Sequence, residues 1–195
     1  MELTKLTLGL YQTNCYIVRN PGSNLCCIID PGYEAGKILD TLSSLHLTAE
    51  AILLTHGHFD HVGAVAEIAA ETDCAVYISA ADLSLPPMIT GGKLCYTDTY
   101  PSTGTVTAAG LTFRVIPTPG HTPGSVCLVC EDVMFSGDTL FCGSCGRTDL
   151  PGGNAQEILA SLKKLAALPG NYRVYPGHGS STELDWERDS NPHLR

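Results

Sequence analysis

The segment 55–63, THGHFDHVG, concentrates side chains that bind metal ions or move protons. It contains His56, His58, Asp60 and His61, although the whole chain has only seven histidines. Two imidazoles can share one metal ion, but four ligand-type groups in one segment exceed what a single ion usually takes from it. The cluster therefore predicts a metal site that residues from other parts of the chain complete.

Further ligand-type residues follow the ends of other apolar runs. His121 lies in the loop after LTFRVI, Asp138 follows DVMFS, and His178 lies in the loop after YRVY, while the 55–63 cluster itself follows AILL. Each of these loops is rich in Gly or Pro, and together they hold five of the seven histidines. Loops beyond the carboxyl ends of strands meet at one edge of a sheet layer. The pattern thus predicts one site that is assembled from four segments.

Seven ligand candidates suit two metal ions about 3.5–4 Å apart, the geometry of hydrolytic two-metal sites. Alternate side chains of an extended loop point the same way, and a residue in the first turn of a following helix can enter from the side. We assign three histidines to one ion, a mixed set to the other and one bridging carboxylate: His56, His58 and His121; Asp60, His61 and His178; and Asp138. A closed structural zinc site is the alternative, but such sites are typically rich in cysteine.

Composition limits the remaining classes. The chain has 195 residues, of which 44% are hydrophobic and 16% charged, which predicts one globular domain over residues 1–195. A net charge of −9 with only 11 Lys and Arg argues against a nucleic-acid surface. The N-terminus alternates apolar and polar residues, so we expect neither a signal peptide nor a membrane span. Nine cysteines without an export signal indicate a reducing cytoplasm.

Apolar periodicity supplies the elements that position these loops. Helices are predicted at 34–46, from the end of the histidine cluster, after a cap at Asn154, and at 182–189. Residues 86–104 read as a long polar loop, in which Tyr96 and Tyr100 are lid candidates, although a plain exposed loop is the favoured interpretation for each. The predicted strands are LTKLTLGL, NCYIV, LCCIID, AILL, AVYIS, TVTAA, LTFRVI, SVCLVC, DVMFS and YRVY.

The cysteines fall into two kinds of position. Cys127 and Cys130 lie within a predicted strand, where residues three apart point to opposite faces, and the pair Cys26-Cys27 also belongs to a strand. All four are expected to pack in the core. Cys142 and Cys145 follow Asp138 and therefore lie near the expected site, where a redox role would require exposed thiols of low pKa.

The motif H-x-H-x-D-H, followed by single His, Asp and His residues at later strand ends, resembles the metallo-β-lactamase fold superfamily. The resemblance covers nearly the whole chain and implies an α/β fold, an αββα sandwich of two mixed β-sheets flanked by helices. The sequence DPG at 30–32 matches the first motif of that superfamily, whose Asp usually supports the site without binding metal. The stretches TNCY, PTPGHTPGS, SGDTLFCGSCGRTDLPGG and YPGHGSST are similar to the short bacterial glyoxalase II enzymes, the hydroxyacylglutathione hydrolases. Asp138 also separates the chain from the metallo-β-lactamases proper, which lack that bridging aspartate.

This resemblance implies a dinuclear metal-dependent hydrolase that cleaves a thioester, similar to an S-2-hydroxyacylglutathione, with a metal-bound hydroxide. It implies two divalent ions, zinc first with iron or manganese as alternatives, and catalytic roles for Asp60 and Asp138. Arg147 is expected at the mouth of the site, where it would bind a substrate carboxylate. The expected partner is a small-molecule thioester, with no nucleic acid and no membrane, and the chain would be a cytoplasmic monomer or homodimer.

Other activities of the same superfamily remain alternatives. A persulfide dioxygenase would use one iron held by His56, His121 and Asp138, and its relatives also carry the GRTD stretch found at 146–149. A lactone, β-lactam or other ester hydrolase would share the metal chemistry. Full-length glyoxalase II has an extra C-terminal helical region that supplies part of its glutathione site, and this chain stops before it, so the thiol carrier stays open.

Overall fold

The structure, a computed structural model, describes residues 1–101 and 104–194 and contains two six-stranded sheets. In the first sheet the first three strands run antiparallel and the remaining neighbours are parallel. Its strands, in spatial order, are β1 (Glu2–Leu8), β2 (Thr13–Arg19), β3 (Leu25–Ile29), β4 (Thr48–Leu53), β5 (Ala75–Ile78) and β6 (Asp98–Thr99).

The second sheet follows along the chain and is also mixed. It begins with β7 (Thr105–Ala108), β8 (Leu111–Pro117), β9 (Val126–Cys130) and β10 (Val133–Gly137). A small separate hairpin, β11 (Leu140–Phe141) and β12 (Ser144–Cys145), comes next, and β13 (Arg173–Pro176) and β14 (Thr182–Glu183) complete the sheet. The spatial order is β14-β13-β10-β9-β8-β7, and only β10 and β13 pair in parallel.

Helices cover the outer faces of both sheets. They are α1 (Ala35–Ser44), α2 (Phe59–Val62), α3 (Val65–Thr72), α4 (Pro87–Thr90), α5 (Ala155–Ala166) and α6 (Leu184–Ser190), with a 3-10 helix at Ala80–Ser84. The cap predicted at Asn154 is present, since its side-chain oxygen accepts hydrogen bonds from the amides of Gln156 and Glu157 at 2.9 and 3.2 Å. None of the helices in the described parts of the chain is long and apolar enough to cross a membrane.

Alternation along the strands builds three apolar layers. In β2, Cys15 and Ile17 pack toward α1 and α3, whereas Tyr16 and Val18 pack against the second sheet. A third cluster joins the outer face of the second sheet to α5. This layering confirms the predicted αββα sandwich.

The strand cysteines behave as small hydrophobic residues. Cys26 and Cys27 face opposite sides of β3, and Cys127 and Cys130 face opposite sides of β9. All four side chains are buried, as their positions in the sequence predict.

The prediction for 86–104 was wrong in part. The stretch contains α4 and β6, and Tyr100 is partly buried, with its hydroxyl donating to the carbonyl of Leu54 at 2.9 Å and its ring stacked on Tyr77. A tyrosine fixed in this way anchors the chain between the sheets and is not a lid. Tyr96 lies outside the cavity described below, and residues 102–103 of the predicted loop lie outside the described residues.

Candidate metal centre

The loops at the ends of four strands meet at one place. The chain leaves β4 through Thr55 and enters α2, while β8, β10 and β13 lead into the other three loops. The rings of His56, His58 and His121 pack edge to face, with centroids 4.5–4.8 Å apart. All seven ligand candidates named from the sequence belong to this cluster: His56, His58, Asp60, His61, His121, Asp138 and His178.

Three groups of three possible ligand atoms lie in this region; one of them, Asp30, His56 and His61, shares its histidines with the other two, which have no member in common and are called the two sets below. Within each set the atoms lie within 4.8 Å of one another. One set is His56, His58 and His121, and the other is Asp60, His61 and His178. These are the sets that the sequence assigns to separate ions.

Asp138 lies between the two sets. Its Oδ1 is 3.3 Å from Nε2 of His61, and its Oδ2 is 3.5 Å from Nε2 of both His121 and His178. One carboxylate therefore faces histidines of both sets, which is the position that a bridging ligand needs.

Five buried polar atoms of the cluster have no hydrogen-bond partner among the described residues. Buried polar groups are normally paired, because an unpaired one costs about 1–3 kcal/mol. The atoms are Nε2 of His56, His58, His61 and His121, and Oδ1 of Asp138. Imidazole nitrogens and carboxylate oxygens are the ligands that zinc and iron take. The donor set thus fits divalent metal ions.

The opposite ring nitrogens are paired, which fixes the tautomers. Nδ1 of His121 donates to the carbonyl of Arg147 at 2.8 Å, and Nδ1 of His178 donates to the carbonyl of Tyr11 at 3.0 Å. A carbonyl only accepts, so each Nδ1 carries the hydrogen and each Nε2 keeps its lone pair. Both rings therefore present Nε2 as the metal-binding atom.

Asp30 orients the histidine rings of the 55–61 segment. Its Oδ2 is 3.0 Å from Nδ1 of His61 and accepts the hydroxyl of Thr55 at 2.6 Å. The hydroxyl oxygen of Thr55 lies in turn 3.1 Å from Nδ1 of His56. Asp30 thus orients two histidines from behind, which agrees with the supporting role that the DPG motif implies.

Asp82 was missed in the sequence. Its side chain is fully buried in the 3-10 helix and accepts three hydrogen bonds from the loops that carry the three-histidine set. Oδ2 accepts from the amide of Gly57 at 2.8 Å and the hydroxyl of Thr122 at 2.9 Å, and Oδ1 accepts from the amide of Gly124 at 2.6 Å. Because Gly57 separates His56 from His58 and Thr122 follows His121, Asp82 joins both loops.

Burial and neighbouring charges shift the titration of the cluster. Burial, together with the nearby His121 and His61, lowers the pKa of His58 to about 4, so this imidazole is neutral near pH 7. Burial also opposes the charged form of His61, but the Asp138 and Asp30 carboxylates raise its pKa well above the ordinary value. The protein therefore holds negative charge beside His61 and keeps His58 neutral.

A cavity of about 530 Å³ opens onto the cluster. Arg147 lines it, with a side chain that is 62% exposed and whose Nε and Nη2 each donate to Asp149 at 2.7 Å. Cys145 also lines the cavity, and burial raises the pKa of its thiol, whereas Cys142 is exposed. A raised pKa disfavours the reactive thiolate, which argues against a redox role for Cys145.

A His/Asp centre at the strand ends of an αββα sandwich defines the metallo-hydrolase class. The profile of the Metallo-beta-lactamase superfamily matches residues 8–178, and the chain belongs to that superfamily.

Two relatives in sequence illustrate the class. The probable metallo-hydrolase YqgX of Bacillus subtilis is 37% identical and covers 100% of this chain and 98% of its own. The hydroxyacylglutathione hydrolase GloC of Haemophilus influenzae is 32% identical, with coverage of 100% and 98%.

Two solved structures share the architecture closely. The B3 metallo-beta-lactamase BLEG-1 superposes with a TM-score of 0.92 at 37% identity and covers 99% of each chain. TTHA1623, solved in a di-iron-bound form, gives a TM-score of 0.85 at 40% identity and covers 98% of this chain and 100% of its own. These structures support the fold and a metal-binding site.

Proposed function

We propose that the chain is a hydrolase that uses two divalent metal ions to cleave a thioester similar to an S-2-hydroxyacylglutathione. The observation that carries the proposal is the position of Asp138 between two sets of three ligand atoms. Two sets and a shared carboxylate fit a two-metal site better than a single structural ion. The relative GloC, named as a hydroxyacylglutathione hydrolase, supports the thioester.

The metal ions, when bound, would lower the pKa of water and polarise the carbonyl of the substrate. Hydrolysis adds the oxygen of water to the acyl carbon, breaks the carbon–sulfur bond and yields an acid and a thiol. The protein contributes fixed ligand positions and a carboxylate, Asp60, whose Oδ2 accepts the hydroxyl of Thr13 at 3.3 Å and lies 3.2 Å from Nε2 of His178. These contacts hold Asp60 where it can also accept a hydrogen bond from the attacking water.

Arg147 is proposed to bind a carboxylate of the substrate at the mouth of the cavity. Its guanidinium is exposed, and it lines the same cavity as His121 and Asp138. The pairing with Asp149 places the planar group in a fixed orientation, so a substrate carboxylate would have to share it or displace Asp149. The proposal further includes one domain over residues 1–195, in a cytoplasmic monomer or homodimer that binds neither nucleic acid nor membranes.

Zinc is the first choice of metal, and iron is the main alternative. Imidazole and carboxylate ligands suit both ions. The similarity to TTHA1623, which was solved with two irons, supports a dinuclear site without deciding the element for this chain.

A β-lactam is the second candidate substrate. The similarity to BLEG-1, named as a B3 metallo-beta-lactamase, favours it, whereas Asp138, the bridging aspartate that the metallo-β-lactamases proper lack, argues against it. Amide and thioester hydrolysis need the same polarised carbonyl and attacking water, so the centre described above would serve either reaction.

The first experiment is a metal count by elemental mass spectrometry on protein purified without oxygen, followed by assays with S-lactoylglutathione and a chromogenic cephalosporin. About two ions per chain and faster cleavage of the thioester would support the proposal. His58→Ala should lose one ion, whereas His193→Ala, an exposed histidine elsewhere, should keep both. One iron per chain and no other metal would instead favour a mononuclear dioxygenase, and full metal loading without hydrolysis would refute the proposal.

A further inference from the structure

The residues that line the cavity differ in chemistry from one part to another. Tyr11 and Phe59 meet edge to face with centroids 5.4 Å apart, and Ile89 of α4 lies in the same lining. An added Cβ on Gly91, two residues after Ile89, would lie 3.0 Å from Cβ of Phe59, so α4 approaches this aromatic pair closely. This part of the lining is built from α2, α4 and the β1–β2 loop.

The chain neighbours of two of these residues are also apolar, but they do not line the cavity. Leu10, beside Tyr11, is 96% exposed, and Met88, beside Ile89, is 83% exposed. Apolar residues that line a cavity often mark the place where an apolar group of a ligand binds. We call the three lining residues the apolar patch: Tyr11, Phe59 and Ile89.

The charged part of the lining lies on the hairpin and the loop that follows it. Ser144, Cys145 and Arg147 belong to this part, and Arg147 is the one Arg or Lys among the described residues that line the cavity. If the proposed function holds, the carboxylates of a thiol such as glutathione would bind at Arg147. The acyl half of the thioester is then left for the apolar patch, which carries no charged side chain.

We infer that the enzyme prefers an apolar acyl group, a straight alkyl chain of several carbons or an aryl ring, over a short 2-hydroxyacyl group. The inference rests on the proposed thioester hydrolysis and departs from that proposal in one respect, the acyl group. A lactoyl group would leave most of the patch uncovered. An alkyl chain covers the patch, and each buried methylene raises kcat/KM by about fourfold if the gain appears in the transition state.

The test compares S-acetyl, S-butanoyl, S-hexanoyl and S-lactoyl glutathione on fully metal-loaded protein. We expect kcat/KM for the hexanoyl thioester to exceed the acetyl value by at least about tenfold, allowing for partial burial of the four added methylenes. Ile89→Thr should flatten this dependence on chain length. Because Ile89 is buried in a short helix and its replacement could unfold the protein, Ile89→Val, which keeps an apolar side chain, provides a second variant that should retain most of the dependence on chain length.

The matched control is Leu159→Thr, at an apolar residue that is 44% exposed on α5 and lies outside the cavity lining. It should keep the wild-type dependence on chain length. A flat or falling series on an active enzyme, or equal effects of Ile89→Thr and Leu159→Thr on folded protein, would overturn the apolar acyl preference while thioester hydrolysis stands. Loss of all thioester cleavage with metals fully bound would overturn the proposed function itself.

Discussion

Replacement of Asp82 by Asn tests whether this carboxylate positions the three-histidine set. The carboxylate accepts two donors on Oδ2 and one on Oδ1, and an Asn side chain of the same shape has one oxygen and one NH2 group. If the oxygen keeps the amide of Gly57 and the hydroxyl of Thr122, the NH2 group meets the amide of Gly124. Two donors then face each other at a position where the original N–O distance is 2.6 Å.

The expected cost follows from that clash. Loss of a buried hydrogen bond to a charged group costs about 1.5–3 kcal/mol. Part of it is offset, because burial raises the pKa of Asp82 and a neutral Asn avoids the penalty of burying a charge. We expect the free energy of unfolding to fall by roughly 2 kcal/mol, which for a chain of this length lowers Tm by roughly 4–8 °C.

The effect on metal binding should be selective. Asp82 fixes the amide between His56 and His58 and two groups close to His121, and among the described residues it makes no hydrogen bond to the other set. Loss of such a supporting contact typically weakens metal affinity about 10- to 100-fold. Titration with a competing chelator should therefore show one weakened ion and one unchanged ion.

The control is Asp40→Asn, at an exposed position of α1, which should change neither Tm nor either metal affinity. Unfolding is followed by circular dichroism, and metal content by elemental mass spectrometry after each chelator step. If both ions weaken equally in Asp82→Asn, or if neither does, Asp82 does not position the three-histidine set and the reasoning fails.

Three further replacements give sharp outcomes. Asp138→Ala should lose metal and hydrolysis together, since it removes the carboxylate between both sets, and a fully loaded, fully active variant would contradict its bridging role. Asp30→Asn should weaken both ions about 10- to 100-fold, measured by chelator competition, because His61 loses the carboxylate that orients its ring and Thr55, which contacts His56, loses its acceptor. Gly177→Ala should abolish metal binding, because its Cβ would lie 2.2 Å from Oδ1 of Asp138, whereas Gly36→Ala in α1, which meets nothing within 4 Å, should keep metal and stabilise by about 0.5–1 kcal/mol.

The positions of the ligand candidates could be predicted because strand periodicity and ligand chemistry coincide. His121 and His178 each follow a strand and a Pro- and Gly-containing turn, and such turns leave the sheet at its carboxyl edge. Two of the three groups of ligand atoms in the structure have the same members as the sets named from the sequence. Alternation also predicted correctly that Cys127 and Cys130 face opposite sides of a buried strand.

Asp82 could not be found in the same way. It lies in a 3-10 helix of five residues, which has no periodic pattern to predict, and two of its three partners are backbone amides. A backbone amide leaves no mark in the sequence. Gly124 does reflect the contact with Asp82, because an added Cβ there would lie 2.6 Å from Cγ of Asp82. A glycine in the sequence does not reveal which side chain approaches it.

The packing of Tyr100 also could not be predicted from the sequence. A tyrosine in a polar stretch predicts an exposed loop. The hydroxyl of Tyr100 instead donates to the carbonyl of Leu54, and its ring stacks on Tyr77. That carbonyl belongs to a residue 46 positions away, so the contact depends on the tertiary arrangement. Hairpin strands of two residues, such as β11 and β12, are likewise too short to carry a period of two.

Two buried carboxylates, Asp30 and Asp82, support different parts of the centre. Asp30 acts on the rings of His56 and His61 through their outer nitrogens or through Thr55, and Asp82 acts on the backbone of the loops. Neither carboxylate needs to move when an ion binds, because both are already paired with the protein. The atoms left without partners all belong to the ligand candidates, at about 1–3 kcal/mol for each buried unpaired group. Metal binding would remove that cost without reorganising the loops. The unpaired buried polar atoms therefore lie where an ion can bind them.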